Sequence, residues 1–370
     1  MKVLIINPIM YSNETDNIKK VESIKDTLMY NVCRGFISKG YEVTLITSQD
    51  FKPIKEEEYE FNVIFFKTNL KKICYPRIIP HLVGLRKYLK KNKDFFDIVI
   101  CSEAFSLATY TAVRVFKEKC IVWQEMATHQ KKFHHIPSKI WHNLIVKLFY
   151  NKCLIVPRSQ EAKVFISRYA KNVSDLIVEH GMNLDKFPCE PRDNLKQFVV
   201  VSQLIERKQI DKIILAFSDF ITTNSGFKLV ICGIGDLEER LKELVNKLSL
   251  GNSVLFLGQC DHERLSKLYR ESIGLLVYTK QDNNMVSIIE SIASGTPVLT
   301  TSVPYNCCYI RDHNLGIVKD DWGKEELKAI VDRFNILTKN CIGFRDNLSS
   351  EYSAEKFTEI INNWQRVKHQ

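Results

Sequence analysis

Arg207 and Lys208 stand side by side in Gln203-Leu-Ile-Glu-Arg-Lys208-Gln-Ile-Asp, between an apolar strand-like run and the start of a helix. A helix N-terminus attracts anions, so two cations there are unusual unless side chains and backbone amides share an anion such as a phosphate. A solvated basic pair is the alternative. After the next strand-like run comes Gly233-Ile-Gly235, which lets the backbone approach a ligand closely or simply makes a turn. A third segment is richer: Tyr278 ends a strand, Asp282-Asn283-Asn284-Met285 supplies an Asx-rich helix start, and Val286 and Glu290 lie inside the helix. Gly295 ends that helix and Pro297 opens another strand. Glu290 sits among Val286, Ile288, Ile289 and Ile292; a carboxylate so packed is costly unless it accepts hydrogen bonds, for example from vicinal sugar hydroxyls. The alternative is a surface glutamate on an amphipathic helix. His129, His134, His135 and His142 cluster in sequence without zinc-site spacing, and no metal is expected there.

These residues need elements to hold them, and both halves alternate short β-rich runs with helical periodicity, the pattern of parallel sheets with crossover helices. Strands are expected at 2–7, 41–47, 62–67, 97–101, 120–124 and 153–157, with the clearest helix at 21–39. The second half repeats the scheme at 198–202, 227–232, 253–257, 273–278 and 297–300. A polar, Pro-containing stretch, 187–196, separates the halves. The reading is therefore α/β with two doubly wound, Rossmann-like domains, 1–190 and 191–350. A C-terminal helix within 351–370 is expected to pack back across the boundary. Ligands then belong at the strand-to-helix loops. The first of these, 7–20, contains no glycine, which argues against a dinucleotide oxidoreductase; its length fits a substrate site or a mobile surface loop.

Composition bounds the rest. The chain has 370 residues, 45% hydrophobic and 26% charged, with no apolar run long enough to cross a membrane. Met1-Lys2 runs straight into Val3 and its apolar neighbours, read as a first strand and not a signal peptide. Eleven cysteines, an odd number in a large chain, read as reduced thiols of a cytoplasmic protein. The net charge of +10 is uneven: residues 1–190 hold 30 Lys and Arg against 20 Asp and Glu, and residues 191–370 hold 23 of each. A basic excess confined to one half points to an anionic partner.

Together these segments resemble the retaining family 4 of GT-B glycosyltransferases, whose Gly-Arg-Leu-x-x-x-Lys-Gly motif corresponds to Ser202-Gln203-Leu204 through Lys208-Gln209. The family's Glu-x7-Glu motif corresponds to Asp282 through Glu290 and runs into Gly295-Thr-Pro297-Val298. Its Pro-Asn-Gly-Val-Asp signature corresponds to Glu179-His180-Gly181-Met182-Asn183. The resemblance implies two Rossmann-like domains facing a central cleft and transfer from a UDP- or GDP-sugar with retention, needing neither cofactor nor metal. It implies that Lys208 binds the diphosphate, that Glu290 accepts from the ribose hydroxyls, and that Asp282 with Asn283, Asn284, Met285 and Val286 holds the donor sugar and phosphate. Gly233 and Gly235 would let their loop pass close to the nucleotide. The chain departs from the family at three places. Gln203 replaces the phosphate-binding arginine, with Arg207 a candidate substitute; Asp282 is one methylene shorter than glutamate; and Trp123-Gln124-Glu125 stands where relatives carry a histidine. Glu125 is the candidate for that role, catalytic beside Lys208 and Asp282, with Glu103 second.

Two acid-free windows, 61–93 and 126–160, interleave lysines and arginines with aromatic and aliphatic residues. They read as a surface for an anionic membrane or as core helices with lysine-rich outer faces; nucleic acid is not expected as a partner. The expectation is a cytoplasmic glycosyltransferase, peripheral on the inner face of the cell membrane. It would extend a saccharide or polyprenyl-diphosphate-linked saccharide for a surface polysaccharide or glycolipid. A non-catalytic sugar-nucleotide scaffold and a GT-B 2-epimerase are the alternatives.

Overall fold

The computed structural model describes residues 1–10, 23–69, 80–130, 132–179, 181–189, 195–282 and 284–369. The chain forms two compact units, Met1–Met182 with Ser349–Gln370, and Asn183–Leu348. The division falls ahead of the 190 read from the polar stretch, because residues 183–189 pack into the second unit. Phe187 is buried, Arg345 donates to the carbonyls of Leu184 and Phe187 at 2.9 and 3.2 Å, and the Cys189 thiol donates to Ala293. Residues 190–194 of that stretch lie outside the described residues.

In the first unit, β1 (Lys2–Ile6), β2 (Glu42–Ser48) and β3 (Asn62–Phe66) are followed by a small antiparallel pair, β4 (Thr68–Asn69) and β5 (His81–Leu82). Then come β6 (Ile98–Ser102), β7 (Cys120–Gln124) and β8 (Leu154–Pro157). Six of these make one parallel sheet, β3-β2-β1-β6-β7-β8, in which Val3 pairs with both Val43 and Ile98. From Val3 to Ile6 β1 is an unbroken apolar run because both faces are covered. Val3 and Ile5 join a cluster with Phe36, Trp123 and Phe357, and Leu4 and Ile6 join another with Leu89, Phe116 and Tyr150. The helices are α1 (Leu28–Ser38), α2 (Leu85–Lys91), α3 (Leu107–Phe116), α4 (Ile136–Ile140), α5 (Lys147–Phe149) and α6 (Gln160–Ile166), with a π-helical segment, Trp141–Val146, joining α4 to α5. α1 begins later than the periodicity predicts because Thr27 caps it, its hydroxyl accepting from the Tyr30 amide at 3.3 Å; residues 21 and 22 are outside the described residues.

The second unit repeats the plan with β9 (Gln197–Val201), β10 (Lys228–Cys232), β11 (Val254–Gly258), β12 (Gly274–Leu276), β13 (Val298–Thr300) and β14 (Gly316–Val318). Its parallel order is β11-β10-β9-β12-β13-β14. Its helices are α7 (Ile210–Ile221), α8 (Glu238–Lys247), α9 (His262–Arg270), α10 (Val286–Ala293), α11 (Cys307–Asp312), α12 (Lys324–Asp332) and α13 (Phe334–Phe344). α14 (Ser350–His369) belongs to the first unit, where Phe357, Ile360 and Ile361 pack into the cluster of α1. The expected strands all form, within a few residues of their predicted ends; β14, three residues long, has no signature in the sequence.

Candidate functional site

In an open parallel sheet the ligand crevice lies beyond the carboxyl ends of the strands where the order reverses. In the second unit that place is between β9 and β12. The loops leaving these two strands carry Arg207, Lys208 and Asp282, so residues 74 and 75 positions apart meet. Lys208, 7% exposed, donates to Asp282 Oδ2 at 2.5 Å, and Arg207 donates to the same oxygen at 2.9 Å. The Thr279 hydroxyl donates to it at 3.0 Å. Arg207 also donates to the Gln281 carbonyl, and its own carbonyl accepts from the Lys280 amide at 2.8 Å. Two cations and one carboxylate thus meet at a strand end, and ion pairs this sheltered are screened little by salt.

The glycines are explained by the same loops. Gly233 has φ +148, and a Cβ there would lie 1.8 Å from the Ser202 carbonyl oxygen; at Gly235 it would lie 2.3 Å from that of Leu204. The loop after β10 therefore runs in backbone contact with the one that presents Lys208, the Leu204 amide donating to Ile234 at 3.0 Å. Gln203 is exposed on the same loop.

α10 starts one residue after Met285, whose amide donates to the buried Asn306 side chain at 2.6 Å. Val286 is exposed at the first position; Asn284 is half-buried, and Asn283 lies outside the described residues. Glu290 is 5% exposed, so the packed environment read from its apolar neighbours is present. Its Oε2 accepts from the Tyr269 hydroxyl at 3.0 Å, and its Oε1 lies 3.7 Å from His262 Nδ1. Burial pushes its carboxyl up to about 7, against the pull of the Tyr269 hydrogen bond. Glu290 thus has a partner set of its own, separate from that of Asp282.

The first unit has its own cluster at the ends of β6, β7 and β8. Glu103, at φ +66, accepts from the backbone amides of Glu125 at 2.8 Å and Met126 at 3.2 Å. Burial raises its carboxyl to about 7, with Arg158 opposing. Glu125 is half-exposed and accepts from Arg158 at 2.8 Å. Arg158, buried, lays its guanidinium 3.7 Å from the Trp123 ring centroid. The loop after β1 is described only to Met10, so residues 11–20 of the expected substrate loop fall outside. His129 and His142 pack in an aromatic knot with Phe165 and Tyr169, His129 bonding Ser138 and Tyr169 and His135 bonding the His129 carbonyl. Burial pushes His142 down to about 4. Among the described residues no group of three His, Cys, Asp or Glu could hold a metal ion.

Tyr269, His262 and Thr279 escaped the sequence reading, since each acts on a partner that only folding brings near. Arg158 entered it only as one cation of the basic 126–160 window, read as surface, and is instead buried against Glu125 and Trp123.

Comparison with known proteins bears on the same regions. Residues 183–349 match the model of glycosyl transferases group 1. The chain is 23% identical over 320 residues to the alpha-monoglucosyldiacylglycerol synthase of Streptococcus pneumoniae, covering 79% of this chain and 70% of that one. It is 22% identical over 256 residues to the O-antigen chain mannosyltransferase RfbU of Salmonella typhimurium, covering 65% and 69%. Among solved structures, Anabaena HepE in complex with UDP superposes with a TM-score of 0.68 at 13% identity, over 98% of this chain and all of that one.

Proposed function

We propose, for a chain that is a glycosyltransferase of the GT-B fold with a glycosyl transferases group 1 domain in its second unit, transfer of a hexose from a UDP- or GDP-sugar to a saccharide or lipid-linked saccharide. The observation that carries this reading is the pair of cations on Asp282 at the reversal point of the second sheet. The leaving group is a nucleoside diphosphate, and stabilising its developing charge is the main catalytic task. In this reading Lys208, Arg207 and the amides at the start of α10 supply that stabilisation, which leaves no step needing a metal. Arg207 takes the place that Gln203 vacates. Glu290 accepts from the ribose hydroxyls, and Asp282 orients the cations and the donor sugar.

Retention follows from attack on the face that the phosphate leaves. The bond between the anomeric carbon and the phosphate oxygen breaks, and the acceptor oxygen forms the new bond. The acceptor's proton passes to the departing phosphate. The first unit would bind the acceptor, with Glu125 stabilising positive charge at the reacting carbon. UDP in HepE supports a nucleotide-sugar donor. The diacylglycerol and O-antigen names of the relatives support a lipid-linked or surface-polysaccharide acceptor. The basic excess of residues 1–190 supports work on the cytoplasmic face of an anionic membrane, and no helix among the described residues is long and apolar enough to cross one.

The exposed Gln203 favours one rival, a sugar-nucleotide scaffold without turnover. Acceptor-dependent release of nucleoside diphosphate from a panel of UDP- and GDP-sugars separates the two. Release that Glu290→Gln abolishes is the expected result. Donor binding without release under any acceptor would establish the scaffold, and conversion of the donor without acceptor would establish an epimerase.

A further inference from the structure

The stretch from Ile136 to Tyr150 carries two rows of residues four apart. Ser138, His142, Val146 and Tyr150 are all 1% exposed or less, whereas Ile136, Ile140, Leu144 and Leu148 are 55%, 58%, 52% and 58% exposed. In an α-helix a four-residue spacing advances the row by about 40° at each step, so four members would spread over a third of the circumference. Here the middle of the stretch, Trp141–Val146, is π-helical, and its wider turn counters that drift. The buried side is anchored: the hydroxyl of Tyr150, in the inner row, and Nε1 of the half-buried Trp141 beside it donate to the Ala104 carbonyl at 3.0 and 2.8 Å. Both rows thus stay in line, and the outer one is a ridge of four large aliphatic side chains.

Chemistry beside the ridge narrows what covers it. Lys139, Asn143 and Lys147 are exposed, interleaved with the ridge residues, and no Asp or Glu occurs anywhere between residues 126 and 160. Apolar residues in a row with lysines alongside fit a helix lying flat in a lipid headgroup layer, its aliphatic side chains below the phosphates and its ammonium groups among them. We propose that Ile136, Ile140, Leu144 and Leu148 form a docking ridge that enters an anionic lipid surface, held in register by the π-helical segment. This deepens the membrane part of the proposed function and rests on that part alone. It also narrows the two basic windows of the sequence to one face of one helix.

The test uses the full chain and vesicles of phosphatidylglycerol with phosphatidylcholine, without any sugar nucleotide, so its failure leaves the transferase reading untouched. Wild type is expected to co-sediment with anionic vesicles at low salt and to release as salt rises. The double variant Ile140→Ser/Leu144→Ser, folded by circular dichroism, should partition at least about tenfold less, because two aliphatic side chains no longer enter the apolar layer. Lys139→Ala/Lys147→Ala should bind severalfold less with a shallower salt dependence. Equal partition of the serine variant and wild type would place the contact elsewhere and overturn the proposal. Equal binding to pure phosphatidylcholine would overturn its anionic part. A wild-type dimer that ignores vesicles and that the serine variant turns into a monomer would make the ridge an interface between copies.

Discussion

At the strand ends of the second sheet two cations converge on one carboxylate, Arg207 and Lys208 on Asp282; at those of the first, one cation, Arg158, holds Glu125 while Glu103 ties down the neighbouring backbone. The sheets share one strand order, so each has a reversal point, β1/β6 in the first and β9/β12 in the second; the second unit's charged cluster sits at its reversal point, whereas the first unit's gathers at the ends of β6, β7 and β8. The charge placed there differs too. At the second sheet two cations share one carboxylate; at the first a half-exposed carboxylate is already oriented by Arg158. On the proposed reading each unit serves one half of a transfer, and the side chains, not the fold, decide which.

The sharpest way to break this contrast is at Lys208. Lys208→Ala should lower kcat/KM on the order of 10²- to 10³-fold, the scale of losing one preorganised charge partner at a leaving group, read by nucleoside diphosphate release. A loss below tenfold would mean that Arg207 carries the charge alone.

Glu290→Gln probes the buried carboxylate. Its folded pKa of about 7 lies above the ordinary value, so the empty protein gains stability from this group below about pH 4.5 and loses it as pH rises through 7. The loss is on the order of 3 kcal/mol at most. The glutamine variant should therefore show a flatter thermal midpoint between pH 5 and 8 than wild type, by scanning calorimetry. A parallel slope in both would assign the shift to another group, Glu103 and Glu179 being the other carboxyls that burial raises to about 7.

Arg158→Ala sharpens the comparison from the other side. It removes the partner of Glu125 and the cation over Trp123, and should cost about 1–2 kcal/mol in denaturant unfolding. Turnover should fall while nucleoside diphosphate affinity stays within about twofold, since the residue serves the other crevice. Loss of nucleotide affinity would erase the distinction between the two units. Smallest of all, Arg207→Gln should weaken nucleotide binding severalfold, because that side chain is partly exposed and shares its carboxylate with Lys208.

Much of this was legible before folding. Apolar runs such as Val3 to Ile6 read as strands because both faces are buried, and Lys208, Asp282 and Glu290 stood out by type and position. The pairing was not legible: Tyr269 reaches Glu290 across 21 residues and Arg158 reaches Glu125 across 33, and neither spacing has a periodic signature. β14 was too short to read, and the π-helical turn leaves no mark that composition reveals. The thermodynamic setting of Glu290 was half visible, in its apolar neighbours but not in its hydroxyl partner.

The central claim is that Lys208 and its neighbours form the diphosphate site. Isothermal titration of UDP and GDP into wild type and folded Lys208→Ala tests it most directly. The account predicts binding of at least one of the two, weakened about a hundredfold in the variant, the equivalent of losing a charge-assisted contact. Equal affinity in wild type and variant would contradict it.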